Sequence, residues 1–252
     1  MRTQREHAER FRELHKPGQP IVLFNIWDAG SAKVVADAGA AALATGSWSV
    51  AAAHGFEDGE NIPLPLALAN LQRIVASVDV PISIDLESGY GDVSATVRQA
   101  IAAGAIGFNL EDSYVPEQEL YSIADQSKRL QAARNAADAI LDRVFINART
   151  DVFLVTGPSG HTDAMVDDAL ERANAYAHAG ADSFFVPGLL DPEKIARICA
   201  DCPLPVNVMA RPGASSVTQL AQMGVARISY GPHPYRLAMA SLREAALGAM
   251  RS

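Results

Sequence analysis

The stretch PISIDLESGY (residues 81–90) ends an apolar run with two carboxylates, Asp85 and Glu87. Acids are poor strand formers and costly to bury unpaired. At positions i and i+2 of a strand they would project to the same side. Other apolar runs end in the same way. Glu111 and Asp112 follow one, Arg149 and Asp151 another, and Asn25, Trp27 and Asp28 the first in the chain. Thr45, Gly46 and Ser47 follow the second run; Asn207 and Arg211 follow the seventh, and Ser229 ends the eighth. Converging acids repel one another unless a cation sits among them, and oxygen-only ligands favour Mg²⁺ or Mn²⁺ over zinc. The competing reading is that each acid caps the next helix or pairs with Arg149. The planar fork of Arg149 suits bidentate capture of a carboxylate or phosphonate; its bland alternative is a structural salt bridge. The Thr45-Gly46-Ser47 turn offers N–H groups and hydroxyls to an anion, a weak signal alone because such turns are common.

These residues need a scaffold that gathers strand ends. Apolar runs at 20–25, 41–45, 81–85, 106–111, 144–149, 182–187, 205–210 and 225–230 read as strands, with helical patterns between them. Several of the helical patterns end in Ala-Gly or Met-Gly, a helix C-terminal signal. The alternation predicts an α/β fold, a (β/α)8 TIM barrel, as a single domain over residues 1–252. Barrel enzymes build their sites at the C-terminal strand ends, where the polar residues named above fall. A doubly wound sheet would carry a glycine-rich turn after the first strand, and this chain has NIWDAGSA there. Residues 46–63 read as one long strand-to-helix loop.

Composition narrows the function classes. The formal net charge is −8 with no Lys/Arg run, which argues against nucleic acid and anionic membrane as partners. The polar N-terminal stretch lacks an apolar signal region and no run reaches the length of a membrane span, so a soluble cytoplasmic protein is expected. Cys199 and Cys202 form CADC at the end of a helical pattern, without a second pair to complete a zinc site, and read as inert thiols. GPSGHT (157–162) lacks the lysine and spacing of a phosphate loop, and His54, His161 and His233 read as surface or packing histidines.

In order along the chain, FNIWDAGSA, ATGSW, HGFEDGE, IDLESGYGD, NLED, INARTD, NVMARPG and RISYGP resemble the isocitrate lyase/phosphoenolpyruvate mutase superfamily. The resemblance implies a Mg²⁺-dependent barrel, forming a homodimer or homotetramer by exchange of the last helix. It implies bond making or breaking next to a 2-oxo acid through a pyruvate-type enolate. It makes Asp85 the direct metal ligand, with Asp58, Glu87 and Glu111 holding the metal through water. Thr45, Gly46 and Ser47 take the substrate carboxylate, and Arg149 binds substrate. The candidate set is Arg149, Asp58 and Glu111 for catalysis. Thr45, Gly46, Ser47, Asp85, Arg149 and Asn207 are the candidates for substrate, and Asp85, Glu87 and Glu111 for Mg²⁺ or Mn²⁺. The chain departs from the lyases after the fourth strand, where EDSYVPEQELYSIADQSKRL carries no catalytic cysteine motif. The mutase's lysine- and asparagine-bearing loop is not recognisable there. The leading expectation is C–C cleavage or decarboxylation of a small 2-oxo or related dicarboxylic acid. The alternatives are phosphonopyruvate-type P–C chemistry and a non-catalytic 2-oxo acid binding protein.

Overall fold

The computed structural model describes residues 2–114, 119–157, 160–211 and 213–251. Parts of the EDSYVPEQELYSIADQSKRL, GPSGHT and NVMARPG segments therefore lie outside the described residues. The expected strands form one 8-stranded parallel sheet: β1 (Ile21–Leu23), β2 (Leu43–Ala44), β3 (Ile82–Asp85), β4 (Gly107–Glu111), β7 (Phe145–Arg149), β8 (Ser183–Val186), β9 (Val206–Met209) and β10 (Arg227–Ser229). The sheet closes where Ile26 bridges Thr45, with Ile26 N donating to Ala44 O. This is a (β/α)8 TIM barrel. A two-stranded addition, β5 (Ser113–Tyr114) with β6 (Glu119–Leu120), follows β4.

Period-2 alternation splits the interior into two environments. Phe108, Leu110, Ile146, Ala148, Phe184, Val186, Val208 and Ile228 pack in the large core cluster with α4 (Leu64–Ser77), α5 (Val93–Ala102), α6 (Ile123–Asp138), α7 (Asp163–His178), α8 (Pro192–Asp201) and α9 (Val217–Gln222). The alternate positions face the lumen, and many of them are polar: Ser83, Asn109, Asn147, Ser183, Asn207 and Arg227, all 4% exposed or less. The base of the lumen is apolar. There α1 (Gln4–Glu13) inserts Ala8 and Phe11 against Leu23, Ala44, Ile106 and Phe145. Gly107 permits this closure, because a Cβ there would stand 2.8 Å from Phe145 O.

Three acids serve as helix caps, although Asp85, Glu87 and Glu111 are not among them. Asp28 caps α2 (Ala29–Asp37) in a capping box with Ser31; Asp92 caps α5 and Asp191 caps α8. The segment 46–63 differs from the expected single loop, because α3 (Ser47–Ala53) begins directly after Gly46. Its Ala-rich run, SWSVAAA, favours helix on propensity alone.

The last helix, α10 (His233–Ala249), leaves the barrel largely uncovered on its own account, with Pro234 its only buried residue. Leu237, Leu242 and Leu247 are exposed along it and Met250 just beyond its end. Beside β1 and α2 lies an apolar groove of about 590 Å³, with Val22 and Val34 open to solvent. Among the described residues no helix is long and apolar enough to cross a membrane.

Candidate active site

The C-terminal strand ends surround a cavity of about 160 Å³ whose polar lining includes Ser47, Asp58, Asp85, Asn109, Arg149 and Ser229. Trp48, Leu154, Phe185 and Met209 supply apolar walls. Asp85 ends β3. Its Oδ2 accepts from Ser47 Oγ at 3.1 Å and Ser47 N at 3.4 Å, while Thr45 Oγ1 accepts from Asp85 N at 3.0 Å. Ser47 therefore faces Asp85 rather than standing free as an anion donor, and Thr45 braces the β3 backbone. Asp58 lines the same cavity as this serine.

Glu87 corrects the geometry expected from sequence. The strand stops at Asp85, and Glu87 takes a left-handed φ of 51°, so the i, i+2 argument fails beyond the strand end. Its carboxylate turns to the 58–60 segment. Oε2 accepts from Gly59 N at 2.9 Å and Glu60 N at 2.7 Å, and Oε1 from Tyr90 OH at 3.0 Å. Glu60 returns the contact, accepting from Ser88 Oγ and Tyr90 N, each at 2.7 Å. Glu60 and Tyr90 are also left-handed, at φ 59° and 52°. Three strained non-glycine residues in mutual contact cost of order 1–3 kcal/mol each and persist at functional sites. Here they hold Asp58 beside Asp85.

Arg149 is committed more heavily than the substrate-capture reading allows. Nη1 ion-pairs with Glu111 Oε2 at 2.6 Å, while Nε and Nη2 donate to Asp151 at 2.6 and 2.9 Å. Asp151 is in turn fixed by Ser113 Oγ. Arg149 nevertheless lines the cavity, and its remaining terminal N–H groups are available to a ligand there. Burial opposes its charge, but Asp151, Glu111 and Asp85 outweigh burial and hold it firmly protonated.

Gly46 and Asn25 also line the cavity, whereas Glu111, Asp112 and Asn207 fall outside its wall. Glu111 is buried behind Arg149. Asn207 is fully buried in the lumen, accepting from Ser229 Oγ at 3.2 Å, and does not line the cavity. Asp112 is structural: it accepts from Arg172, Tyr176 and Asp151 N. Asn25 accepts from Tyr230 N and Gly231 N and donates to Thr45 O, tying β1 to its neighbours. Cys199 and Cys202 are free thiols that burial pushes up to about 12 and about 11, as inert groups should be. Asn109 and Arg227 carry no motif that marks them in the sequence, although strand alternation places both inside the barrel.

Whether these residues fit a divalent cation is decided by their electrostatics. Burial and then Asp85 push Glu87 up to about 7. Asp58 sits at the exposed rim of the cavity; partial burial and then Asp85 raise its carboxyl, against the pull of Arg149. Burial raises Glu111 well above the usual carboxylate range against the opposing pull of Arg149, with Asp151, Asp85 and Glu87 adding to the rise. Four carboxyl groups thus repel one another around Asp85. Among the described residues no three acids, histidines or cysteines form a ready-made metal cage. Mg²⁺ does not need one, since it binds through one or two carboxylates and keeps several waters. Asp85 as the one first ligand, with Asp58 on the same cavity and Glu87 and Glu111 adding negative charge from outside its wall, fits Mg²⁺, and the cation would relieve the repulsion.

This arrangement on this fold defines a class, a barrel that gathers acids and one arginine over a small polar cavity. The family model for phosphoenolpyruvate phosphomutase matches residues 11–250, and the chain belongs to that family, within the isocitrate lyase/phosphoenolpyruvate mutase superfamily. A crystal structure from Burkholderia cenocepacia, provisionally described as a phosphonomutase, is 52% identical with a TM-score of 0.95, covering 99% of this chain and 100% of that one. An uncharacterized protein of Mycobacterium tuberculosis is 34% identical over 94% of this chain and 87% of its own. An oxaloacetate decarboxylase of Rhodopseudomonas palustris is 27% identical over 88% of this chain and 80% of its own.

Proposed function

We propose that the protein is a Mg²⁺-dependent lyase-type enzyme. It cleaves a C–C bond of, or decarboxylates, a small 2-oxo or related dicarboxylic acid through a pyruvate-type enolate. The observation that carries the reading is Arg149, a partly buried cation that lines, with Asp85, a cavity of about 160 Å³. That space suits a small, doubly anionic substrate, one end at the acids' cation and the other at the arginine. Asp85 would hold the metal directly, with Asp58 holding its water shell and Glu87 and Glu111 adding negative charge from outside the cavity wall. When bound, the cation supplies Lewis-acid stabilisation of negative charge developing on the 2-oxo oxygen. The chain's own residues do the rest. Arg149 orients the second anionic group, with Glu111 and Asp151 fixing its plane. Trp48, Leu154 and Phe185 exclude water from the reacting bond. The Glu60–Glu87–Tyr90 contacts keep Asp58 in place. The relative named as an oxaloacetate decarboxylase supports this chemistry.

The second reading is phosphonopyruvate-type P–C cleavage or mutation, and the phosphonomutase description of the 52% identical structure favours it. A Mg²⁺-supplemented screen of 2-oxo dicarboxylates, related 2-hydroxy acids and phosphonopyruvate, read by pyruvate, CO₂ and phosphate, separates the two. Pyruvate or CO₂ without phosphate supports the lyase. Phosphate, or an isomerised phospho-ester, from phosphonopyruvate alone supports the second reading. Tight 2-oxo acid binding with no product from any candidate would make the protein a binder.

We propose further that the protein is a homodimer or homotetramer, with α10 of one chain covering the apolar groove beside β1 of another. The exposed leucines of α10 and the open Val22 and Val34 support this.

A further inference from the structure

The polar residues of the lumen form one connected array beneath the cavity. Ser183 Oγ donates to Asn147 Oδ1 at 2.5 Å, and Asn147 Nδ2 donates to Asn109 Oδ1 at 2.8 Å. From across the lumen, Arg227 Nη2 donates to the same Asn109 Oδ1 at 3.2 Å, and Arg227 Nε donates to Ser229 Oγ at 3.4 Å. The array has a direction. The carboxamide oxygen of Asn109 takes two donors from below, so its NH₂ group is turned away from them. Asn109 also lines the cavity, so its donors face whatever the cavity holds.

Arg227 is the anomaly in this array. It is completely buried, and its Nη1 has no hydrogen-bond partner. It forms no ion pair among the described residues; burial lowers its pKa to about 9, and Asp85 is the one charge that acts the other way. An unpaired buried charge costs stability, and an apolar side chain of similar size is commonly neutral or better. Fold stability therefore does not account for an arginine here. Its position below a cavity meant for anions does.

We propose that Arg227 is a positioning residue of the active site, fixing the Asn109 amide as a donor to an anionic substrate oxygen at the cavity floor and placing a positive charge beneath it. This rests on the 2-oxo acid reading above. The ligand class is a planar carboxylate or enolate oxygen, for which oxalate is a stable probe. Such an oxygen would take Asn109 Nδ2 from below while Arg149 holds the far end of the molecule. Two wall groups on opposite sides would then fix the plane in which the enolate forms.

The test compares oxalate binding by calorimetry at saturating Mg²⁺ with thermal unfolding, for wild type, Arg227→Met and Asn109→Leu. Arg227→Met is expected to melt at or above the wild-type temperature while binding oxalate about tenfold to a hundredfold more weakly, the size of a lost contact to a charged group. Asn109→Leu is expected to weaken oxalate to a similar degree. On a turned-over substrate, both should lower kcat/KM. A structural role gives the reverse pattern for Arg227→Met: a lower melting temperature with unchanged oxalate affinity. That result, or wild-type oxalate affinity in folded Asn109→Leu, overturns the proposal. If Arg227→Met does not fold, Asn109→Leu decides. Wild-type protein that binds no oxalate with Mg²⁺ overturns the underlying reading and this inference with it, whereas normal binding by wild type and both variants overturns this inference alone.

Discussion

Replacing Arg149 by lysine keeps the charge and removes the fork. The arginine makes one ion pair to Glu111 at 2.6 Å and two hydrogen bonds to Asp151 at 2.6 and 2.9 Å. A single Nζ reaches one of these carboxylates, not both in plane. The other is left in a setting where its side chain is only 7% or 8% exposed. Hydrogen bonds to charged groups are worth about 1.5–3 kcal/mol each, and stranding a buried charge costs about 3–5 kcal/mol. Glu111, already raised, can shed the strain by taking a proton, so we expect a stability loss at the low end, about 2–3 kcal/mol. Substrate loses a positioned anion contact of similar size, which corresponds to roughly a hundredfold in kcat/KM. The assay is kcat/KM at saturating Mg²⁺ beside the Mg²⁺ dissociation constant and urea unfolding. We expect a hundredfold catalytic loss with Mg²⁺ affinity within about threefold of wild type, because Arg149 touches Glu111 and not Asp85. Near-wild-type kcat/KM would refute the substrate role. A loss of Mg²⁺ affinity matching the catalytic loss would make Arg149 a neutraliser of the acids.

Two further outcomes are expected. Light scattering at micromolar concentration should give a dimer or tetramer, and Leu242→Lys on the exposed face of α10 should shift it towards monomer; a monomeric wild type contradicts the groove assignment. His15 is buried against Phe145, and burial, then Arg227, depress its pKa to about 3. The unfolded chain takes up a proton below about 6.5 that the fold refuses, so the stability is present above that pH and is lost as pH falls towards 3. Between pH 6 and 4 wild-type stability should fall about 1.4 kcal/mol per pH unit more steeply than that of His15→Leu; equal slopes in urea unfolding would contradict this.

The barrel was legible because each strand is a short apolar run closed by turn residues, and because polar residues gather at one end of the runs. Asp85 and Arg149 follow from that pattern. The pairing partners do not. Glu87 reads as a strand residue until the backbone turns left-handed at the strand end, a change fixed by Glu60 and Tyr90, thirty residues apart in the sequence. Asp151 sits two residues from Arg149 and could have been read as its partner. Asn207 was placed by its strand number, but it lies one layer too deep. Asn109 and Arg227 were hidden because a polar residue inside an apolar run looks like noise unless the lumen-facing positions are read separately. Helix α3 was masked by the glycines and acids that follow it.

The central claim is a divalent cation held by Asp85, and Mn²⁺ binding followed by the loss of the free-ion electron paramagnetic resonance signal tests it most directly. Wild type should bind one Mn²⁺ per chain, more tightly with oxalate present, and Asp85→Ala should remain folded and bind none at the same concentrations. Undiminished Mn²⁺ binding by Asp85→Ala, or none by the wild type, would contradict the account.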